Sequence, residues 1–362
     1  MKNKFHIRED NIKKYKKFLK HIFLAMIIGF VMSAIGIGGW VDSAFAKPVV
    51  LRMHSQIVEA RPEAKYLQEF ADRVNERAKG KLNLIVYHAG SLGLRDPDLL
   101  RILKRGDVDM AMLYGEYFAR DAPELAAVYV QGAITKPEQH LKLLPVIRQI
   151  YEEAYSEWDI ITIGGIVSPV FDVGLHCKSP VNTLDELKTK KLRVWAPHLV
   201  HTFQDLGVAA QVIGQNDMYT ALQTGVVDCA YYLSTVAETV SLQEVTKYEA
   251  YLHPWAAVPW MFGVSERAWK RLTPELQQIL TEEAEATWEK TRDLAVDEVR
   301  EAEARSYRQE KLGITMLDRF SDADLQKFVD AANKRWLEMA ETAGKKGIEY
   351  YDRMQFAINK LD

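Results

Sequence analysis

The sequence predicts an α/β protein of two lobes of similar design, and three observations carry that expectation. First, a short pattern occurs twice: Leu103-Lys104-Arg105-Gly106-Asp107-Val108-Asp109-Met110-Ala111 and Leu222-Gln223-Thr224-Gly225-Val226-Val227-Asp228-Cys229-Ala230 both read L-x-x-G-x-V-D-x-A. Second, each copy closes a β-α-β-α-β series, which implies a mostly parallel sheet with helices on both faces. Third, the 362 residues, less a leader of 46, suit about two domains with cores of their own. In both copies the glycine supplies a left-handed helix cap, and the apolar run after it suits a buried strand.

Taken in order, the chain opens with a basic stretch (Lys13, Lys14, Lys16, Lys17, Lys20), an apolar one from Ile22 to Ile37, and Ala44-Phe45-Ala46. That order reads as a secretory signal cleaved after Ala46 rather than a retained anchor, because Gly29, Ser33, Gly36, Gly38 and Gly39 interrupt the apolar run. No cysteine stands at the cleavage point to take a lipid, so an exported, unanchored protein of a periplasm is expected. Leu51 to His54 then reads as a strand and Pro62 to Lys79 as a helix with Leu67, Phe70, Ala71 and Val74 on one face. Gly80 would cap that helix, Leu82 to Tyr87 is a second strand, and Gly90 to Gly93 a turn. Asp96-Pro97 opens the helix that Gly106 stops, with Asp96 as N-cap.

Around the second copy the series recurs, with strands at Leu192 to Trp195, Ala209 to Ile213 and Val226 to Tyr232, and helices from about His198 to Leu206 and from Asp217 to Thr224. The C-terminal third is charged and helical. Thr273-Pro274-Glu275 opens a stripe of apolar or small residues (Leu276, Leu280, Ala284, Trp288, Thr291, Ala295, Val299, Ala302) that continues almost to Gly313. Unbroken, such a helix of nearly 40 residues is roughly 55 Å long and spans both lobes. Ser321 with Asp324 starts another helix, ending near Gly344, and a last one runs through Tyr350, Met354 and Ile358. The expected division is therefore 47–172 with about 258–300 as one lobe, and 173–257 with about 301–362 as the other.

Composition narrows the function. Removing the eight basic and three acidic residues of the leader from the 47 and 50 leaves 39 and 47, a formal charge near −8. Nucleic acid and anionic membrane surfaces are thereby disfavoured as partners. Cys177 and Cys229 either form one disulfide or pack as thiols. The sequence after the leader holds no G-x-G-x-x-G, P-loop, H-E-x-x-H or G-x-S-x-G, and its histidines are scattered, so an enzyme is disfavoured.

The particular residues resemble the DctP-type solute-binding proteins of tripartite ATP-independent periplasmic (TRAP) transporters over nearly the whole chain after the leader. The resemblance lies in Gly90-Ser91-Leu92-Gly93; Gly106-x-Val108-Asp109-Met110; Ser179-Pro180-Val181 leading to Leu192-Arg193-Val194; Tyr219-x-Ala221-Leu222-Gln223-x-Gly225-Val226-Val227-Asp228; and Ser265-x-x-x-Trp269-x-x-Leu272. It implies a two-lobed periplasmic-binding-protein fold with a long helix crossing both lobes, and delivery of an organic acid to an ion-driven permease. A membrane sensor is the alternative partner; a monomer is favoured, and no cofactor or metal is expected.

Arg193 resembles the family arginine that pairs with the ligand carboxylate. On its own chemistry, a strand that points Leu192 and Val194 one way points Arg193 and Trp195 the other, and a covered guanidinium must find a carboxylate, solvent or a ligand. Ligands of open α/β sheets sit beyond the carboxyl ends of strands. That rule makes His54, Tyr114, Tyr117, Trp195, Tyr231 and Tyr232 candidates; Trp255 and Trp260 join them on the return between lobes. Tyr232 stands where the family often has Asn, and Gln215 where some members have an aromatic. The second arginine that many members carry is replaced by the stretch Val170-Phe171-Asp172-Val173-Gly174. The expected pocket therefore holds one cation, no second one, and many aromatics, suited to a monocarboxylate with an apolar or aromatic body.

Overall fold

The computed structural model describes residues 47–169, 171–254 and 259–361, so the leader expected at 1–46 and the candidate Trp255 lie outside the described residues. Strands β1 (Val49–His54), β2 (Leu82–Tyr87) and β3 (Met110–Leu113) alternate with helices α1 (Pro62–Ala78) and α2 (Leu99–Arg105). α1 turns Leu67, Phe70, Ala71 and Val74 into the core, the spacing of one helical face. Its cap is Lys79 rather than Gly80, although both adopt positive φ. The turn before α2 is a short 3-10 helix at Asp96–Asp98, and Asp96 does not cap it through its side chain.

Helix α3 (Pro137–Ser156) and β4 (Ile160–Val167) complete this half, and the chain then passes to β5 (Asp172–Cys177) of a second sheet. There β6 (Lys191–Val194), α4 (Pro197–Asp205), β7 (Ala209–Val212), α5 (Met218–Gln223) and β8 (Cys229–Leu233) repeat the series, and β9 (Tyr248–Pro254) leads back to β10 (Pro259–Ser265). The first sheet has the order β2-β1-β3-β10-β4. With β11 (Thr315–Met316), the second has the order β11-β9-β5-β8-β6-β7. The sheets are mixed rather than mostly parallel. β10 runs antiparallel to β3 and β4, and β5 runs antiparallel to β8 and β9; each follows a strand of the other sheet after only four residues, too few for a crossover helix.

Both copies of the repeated pattern start their strand later than expected, at Met110 and Cys229. The Gly-x-Val-Asp portion forms the turn, with Val108 and Val227 buried beneath the sheets. The two aspartates do the same work: an Asp109 carboxylate oxygen accepts the Arg52 amide at 2.8 Å, and an Asp228 oxygen accepts the Lys191 amide at 2.9 Å. Each carboxylate thus joins its own strand to a backbone amide of the parallel neighbour, within β1 at Arg52 and at the first residue of β6 at Lys191.

The helical stretch expected to run unbroken to Gly313 is two helices, α6 (Pro274–Asp293) and α7 (Glu298–Leu312). The break follows from Asp297, which is extended and accepts the Arg300 amide at 3.0 Å, so the chain restarts a helix instead of continuing one. The pair still passes from one sheet to the other. α6 lies on β4 and α1, with Glu283 held by Arg73 at 2.6 Å and Arg77 at 2.7 Å. Gly164, at φ +86°, allows the approach to β4, since a Cβ there would meet the Ala284 backbone at 2.9 Å. α7 grips the second sheet through Arg308, whose Nε and Nη2 donate to the buried Glu249 of β9 at 3.0 and 2.8 Å.

Helix α8 (Asp322–Thr342) packs on α4, and its Trp336 indole donates to the Ala127 carbonyl of the first half at 2.6 Å. α9 (Gly344–Asn359) packs on α8 and also on α3 of the first half, where Arg353 meets Glu153 at 2.6 Å. Among the described residues no helix is long and apolar enough to cross a membrane.

Cys177 and Cys229 are antiparallel partners on β5 and β8 and form a disulfide, closing a loop across a sequence separation of 52. Cross-linking of this kind stabilises mainly by restricting the unfolded chain, typically by about 2–4 kcal/mol. The double substitution Cys177→Ala/Cys229→Ala should lower the unfolding free energy by about that much, read from urea midpoints. Identical midpoints for oxidised and reduced wild-type protein would refute the bridge.

Candidate functional site

The carboxyl ends of both sheets converge on a cavity of about 30 Å³, walled by side chains from each half. The second sheet contributes Arg193 from β6. Its neighbours Leu192 and Val194 fill the core, and Arg193 itself is only 1% exposed. Nε donates to the Ile213 carbonyl at 2.8 Å and Nη1 to the Tyr231 carbonyl at 3.3 Å, while the guanidinium carbon stands 5.5 Å from the centre of the Tyr232 ring. None of the ion pairs among the described residues includes Arg193. Burial pushes this group down to about 10, with nearby tyrosines opposing the shift, so it stays cationic at neutral pH.

Two aromatic stacks face one another across the cavity. Trp195 lies on Tyr231 at 4.6 Å and 17°, and Tyr114 on Trp260 at 4.8 Å and 21°, with Tyr117 edge-on to Tyr114 at 5.0 Å. Of these rings Tyr231 is set back from the cavity, because successive residues of a strand point to opposite faces. Its hydroxyl bonds His253, whose Nδ1 donates to the Pro254 carbonyl at 2.7 Å, and only its backbone oxygen serves Arg193. Tyr232 faces the cavity, and its hydroxyl donates to the Gln215 Oε1 at 2.9 Å. That oxygen also accepts from Arg61 Nη1 at 3.0 Å, which turns the Gln215 amide nitrogen elsewhere. Gln215 Nε2 and Trp260 Nε1 are buried donors without a partner among the described residues.

The structure thus brings Arg193, Tyr232, Tyr114, Trp195 and Gln215 together, along with Tyr117 and Trp260. It does not bring His54, which is buried at the end of β1 with Nε2 3.4 Å from Asp96. The expectation of a single cation is corrected by Arg61, the residue before α1, which lines the cavity with its Nε 3.0 Å from Glu63. Burial pulls its pKa down, but the Glu63 carboxylate and the Tyr232 oxygen outweigh that and raise it above the ordinary arginine value. The signal was present in Arg61-Pro62-Glu63. The strand-end rule reaches only the first residues after β1, whereas the loop returns to the cavity at its far end.

Glu116 was also missed, although it sits among tyrosines directly after β3. It is buried, accepts from Gln131 Nε2 at 3.0 Å and from Trp195 Nε1 at 3.1 Å, and so links the two halves beside the cavity. Burial raises it to about 7 against the hydrogen bonds it accepts. His198 stands 3.8 Å away, but burial pushes that imidazole down to about 3, so the two do not form an ion pair near neutral pH.

The profile of DctP, described as bacterial extracellular solute-binding protein, family 7, matches residues 54–343. A solute-binding protein of Albidiferax ferrireducens is 27% identical over 223 residues, which cover 56% of this chain and 61% of that one. The chain thus spans about three-fifths of that curated relative's length. Among solved structures, an extracytoplasmic solute receptor of Bordetella pertussis binding pyroglutamic acid superposes with a TM-score of 0.73 at 18% identity, covering 85% of this chain and 99% of that one. A TRAP periplasmic solute-binding protein of Sulfurospirillum deleyianum with bound succinate gives a TM-score of 0.73 at 21% identity, covering 86% and 99%. At these identities the likeness to the two structures is one of fold.

The ionisation of Glu116 gives the site a pH signature. Its folded pKa of about 7 lies above the ordinary 4.5, so its favourable contribution is complete below pH 4.5 and is lost as pH rises through 7. His140 and His253, held down by burial to about 3 and about 4, slope the other way, so the comparison must be a difference between proteins. Glu116→Gln should be stabilised relative to wild type by about 3 kcal/mol more at pH 8 than at pH 4.5, in paired urea titrations. The exchange is tolerable because Gln131 Oε1 has no partner and can receive the new amide. Parallel profiles for the two proteins would show that Glu116 titrates normally.

Proposed function

Starting from the chain's membership of the DctP family of bacterial extracellular solute-binding proteins, we propose that it is the periplasmic receptor of a TRAP transporter, capturing a small organic acid with a single carboxylate. The observation that carries this reading is Arg193, a buried cation with carbonyls and a ring for company but no ion-pair partner among the described residues. A buried charge left in that condition costs several kcal/mol, and an anion supplied from outside recovers much of it through parallel charge-assisted bonds. Gln215 Nε2 and Trp260 Nε1 add two donors for the remaining oxygens of such a ligand. The stacked aromatics offer an apolar body a dry surface. This is binding chemistry rather than catalysis, in keeping with a family of receptors.

A cavity of about 30 Å³ admits an organic acid only if its walls part. The walls come from different sheets, and the polar contacts between them are few: Arg61 to Gln215 and Tyr232, Trp195 to Glu116, and Asn216 Nδ2 to the Ala89 carbonyl at 3.2 Å. The two halves are joined by short crossings between β4 and β5 and between β9 and β10, which suits a clamp that closes on its ligand. A permease that distinguishes open from closed would read occupancy from that motion.

A thermal-shift screen of organic acids followed by calorimetry tests the reading. Arg193→Ala should weaken the best monocarboxylate at least a hundredfold while the protein stays folded, and Arg193→Lys should fall between, having charge without the planar fork. Affinity within threefold of wild type in Arg193→Ala would remove the arginine from the ligand.

A further inference from the structure

We propose that Glu63 sets the charge of the acid that the cavity accepts. This rests on the reading of the cavity as a carboxylate site and assigns one of its properties to a residue that does not line it. Arg61 reaches the cavity from the first half of the molecule, and Arg193 from the second. The two guanidiniums attend one side chain at different points: the Arg193 guanidinium carbon lies 5.5 Å from the centre of the Tyr232 ring, and Arg61 Nη1 3.3 Å from its hydroxyl. A dicarboxylate laid along Tyr232 would therefore meet a cation at each end.

Glu63 removes that option in two ways. Its carboxylate occupies the Nε and Nη2 edge of Arg61, the edge that a ligand carboxylate would take with two parallel bonds. It also cancels the charge, since both partners are buried and solvent cannot screen either. The remaining nitrogen of Arg61 is engaged by neutral acceptors, Gln215 and Tyr232. Glu63 is fixed in turn by the Ser168 hydroxyl, which donates to it at 3.3 Å. With Glu63 in place the pair contributes no net charge, and the cavity carries the single positive charge of Arg193. Without Glu63 it would carry two, and a dianion would be the matching ligand. A pair serving only to brace the loop before α1 would predict no change in ligand preference when it is altered.

The test uses matched probes: succinate, glutarate and 4-carboxyphenylacetate, each against the monoamide that replaces its far carboxylate. Calorimetry at pH 8 gives the ratio of diacid to monoamide affinity. Wild type should prefer a monoamide at least tenfold. Glu63→Gln should shift the ratio at least tenfold towards the diacid, and Arg61→Gln, which leaves Glu63 uncompensated, should shift it at least tenfold the other way. Should Glu63→Gln fail to fold by circular dichroism, Arg61→Gln decides alone. A folded variant with an unchanged ratio overturns the role of Glu63 and leaves the receptor reading standing. Wild-type protein that binds none of the six probes overturns the carboxylate site itself, and this inference with it.

Discussion

The cleft is organised around one constraint: folding takes the Arg193 guanidinium out of water and gives it no ion-pair partner among the described residues. What it provides are two backbone carbonyls, one from Ile213 just past β7 and one from Tyr231 in β8. Those strands flank β6 in the sheet, so the geometry of the arginine is set by the strand order and not by its own rotamer alone. A shift of β7 or β8 by one residue would turn the carbonyl that meets the guanidinium to the other side of its strand. The parallel register of β6 with both neighbours is thus the condition on which the site depends.

The repeated pattern shows where duplication has been kept and where it has not. At the amino ends of the strands Asp109 and Asp228 do one job in two places, each joining a parallel neighbour by the same side-chain bond. At the carboxyl ends the two copies part company. β3 leads to Tyr114 and Glu116, while β8 ends in Tyr232 and Leu233. A shared scaffold with divergent rims gives an asymmetric cleft, with Arg193 outside every ion pair of the described residues on one side and Arg61 neutralised by Glu63 on the other.

Much of this was legible in the residues. Strand alternation sufficed to turn Arg193 and Trp195 away from Leu192 and Val194, and the strand-end rule reached Tyr114 and Tyr232. It failed for His54, which turns towards Asp96, because alternation says which face a residue takes but not what covers that face. It also failed for Arg61, which the far end of the loop after β1 carries back to the cavity. The break between α6 and α7 was hidden because Ala295 and Val299 continue the apolar stripe through a segment where Asp297 starts a new helix. The disulfide depends on β5 pairing with β8, a contact between distant segments that no local pattern encodes.

The broken helix has a wider meaning. α6 is clamped to the first half by Glu283 and its two arginines, and α7 to the second half by Arg308 on Glu249. The halves are thus joined at residues 294–297, at the two strand crossings and again where α8 passes to α9. Among the described residues of those stretches only Ser168 touches the cavity. The lining of the cavity and the joins between its halves are nearly separate sets of residues, so the lining can change while the joins stay as they are.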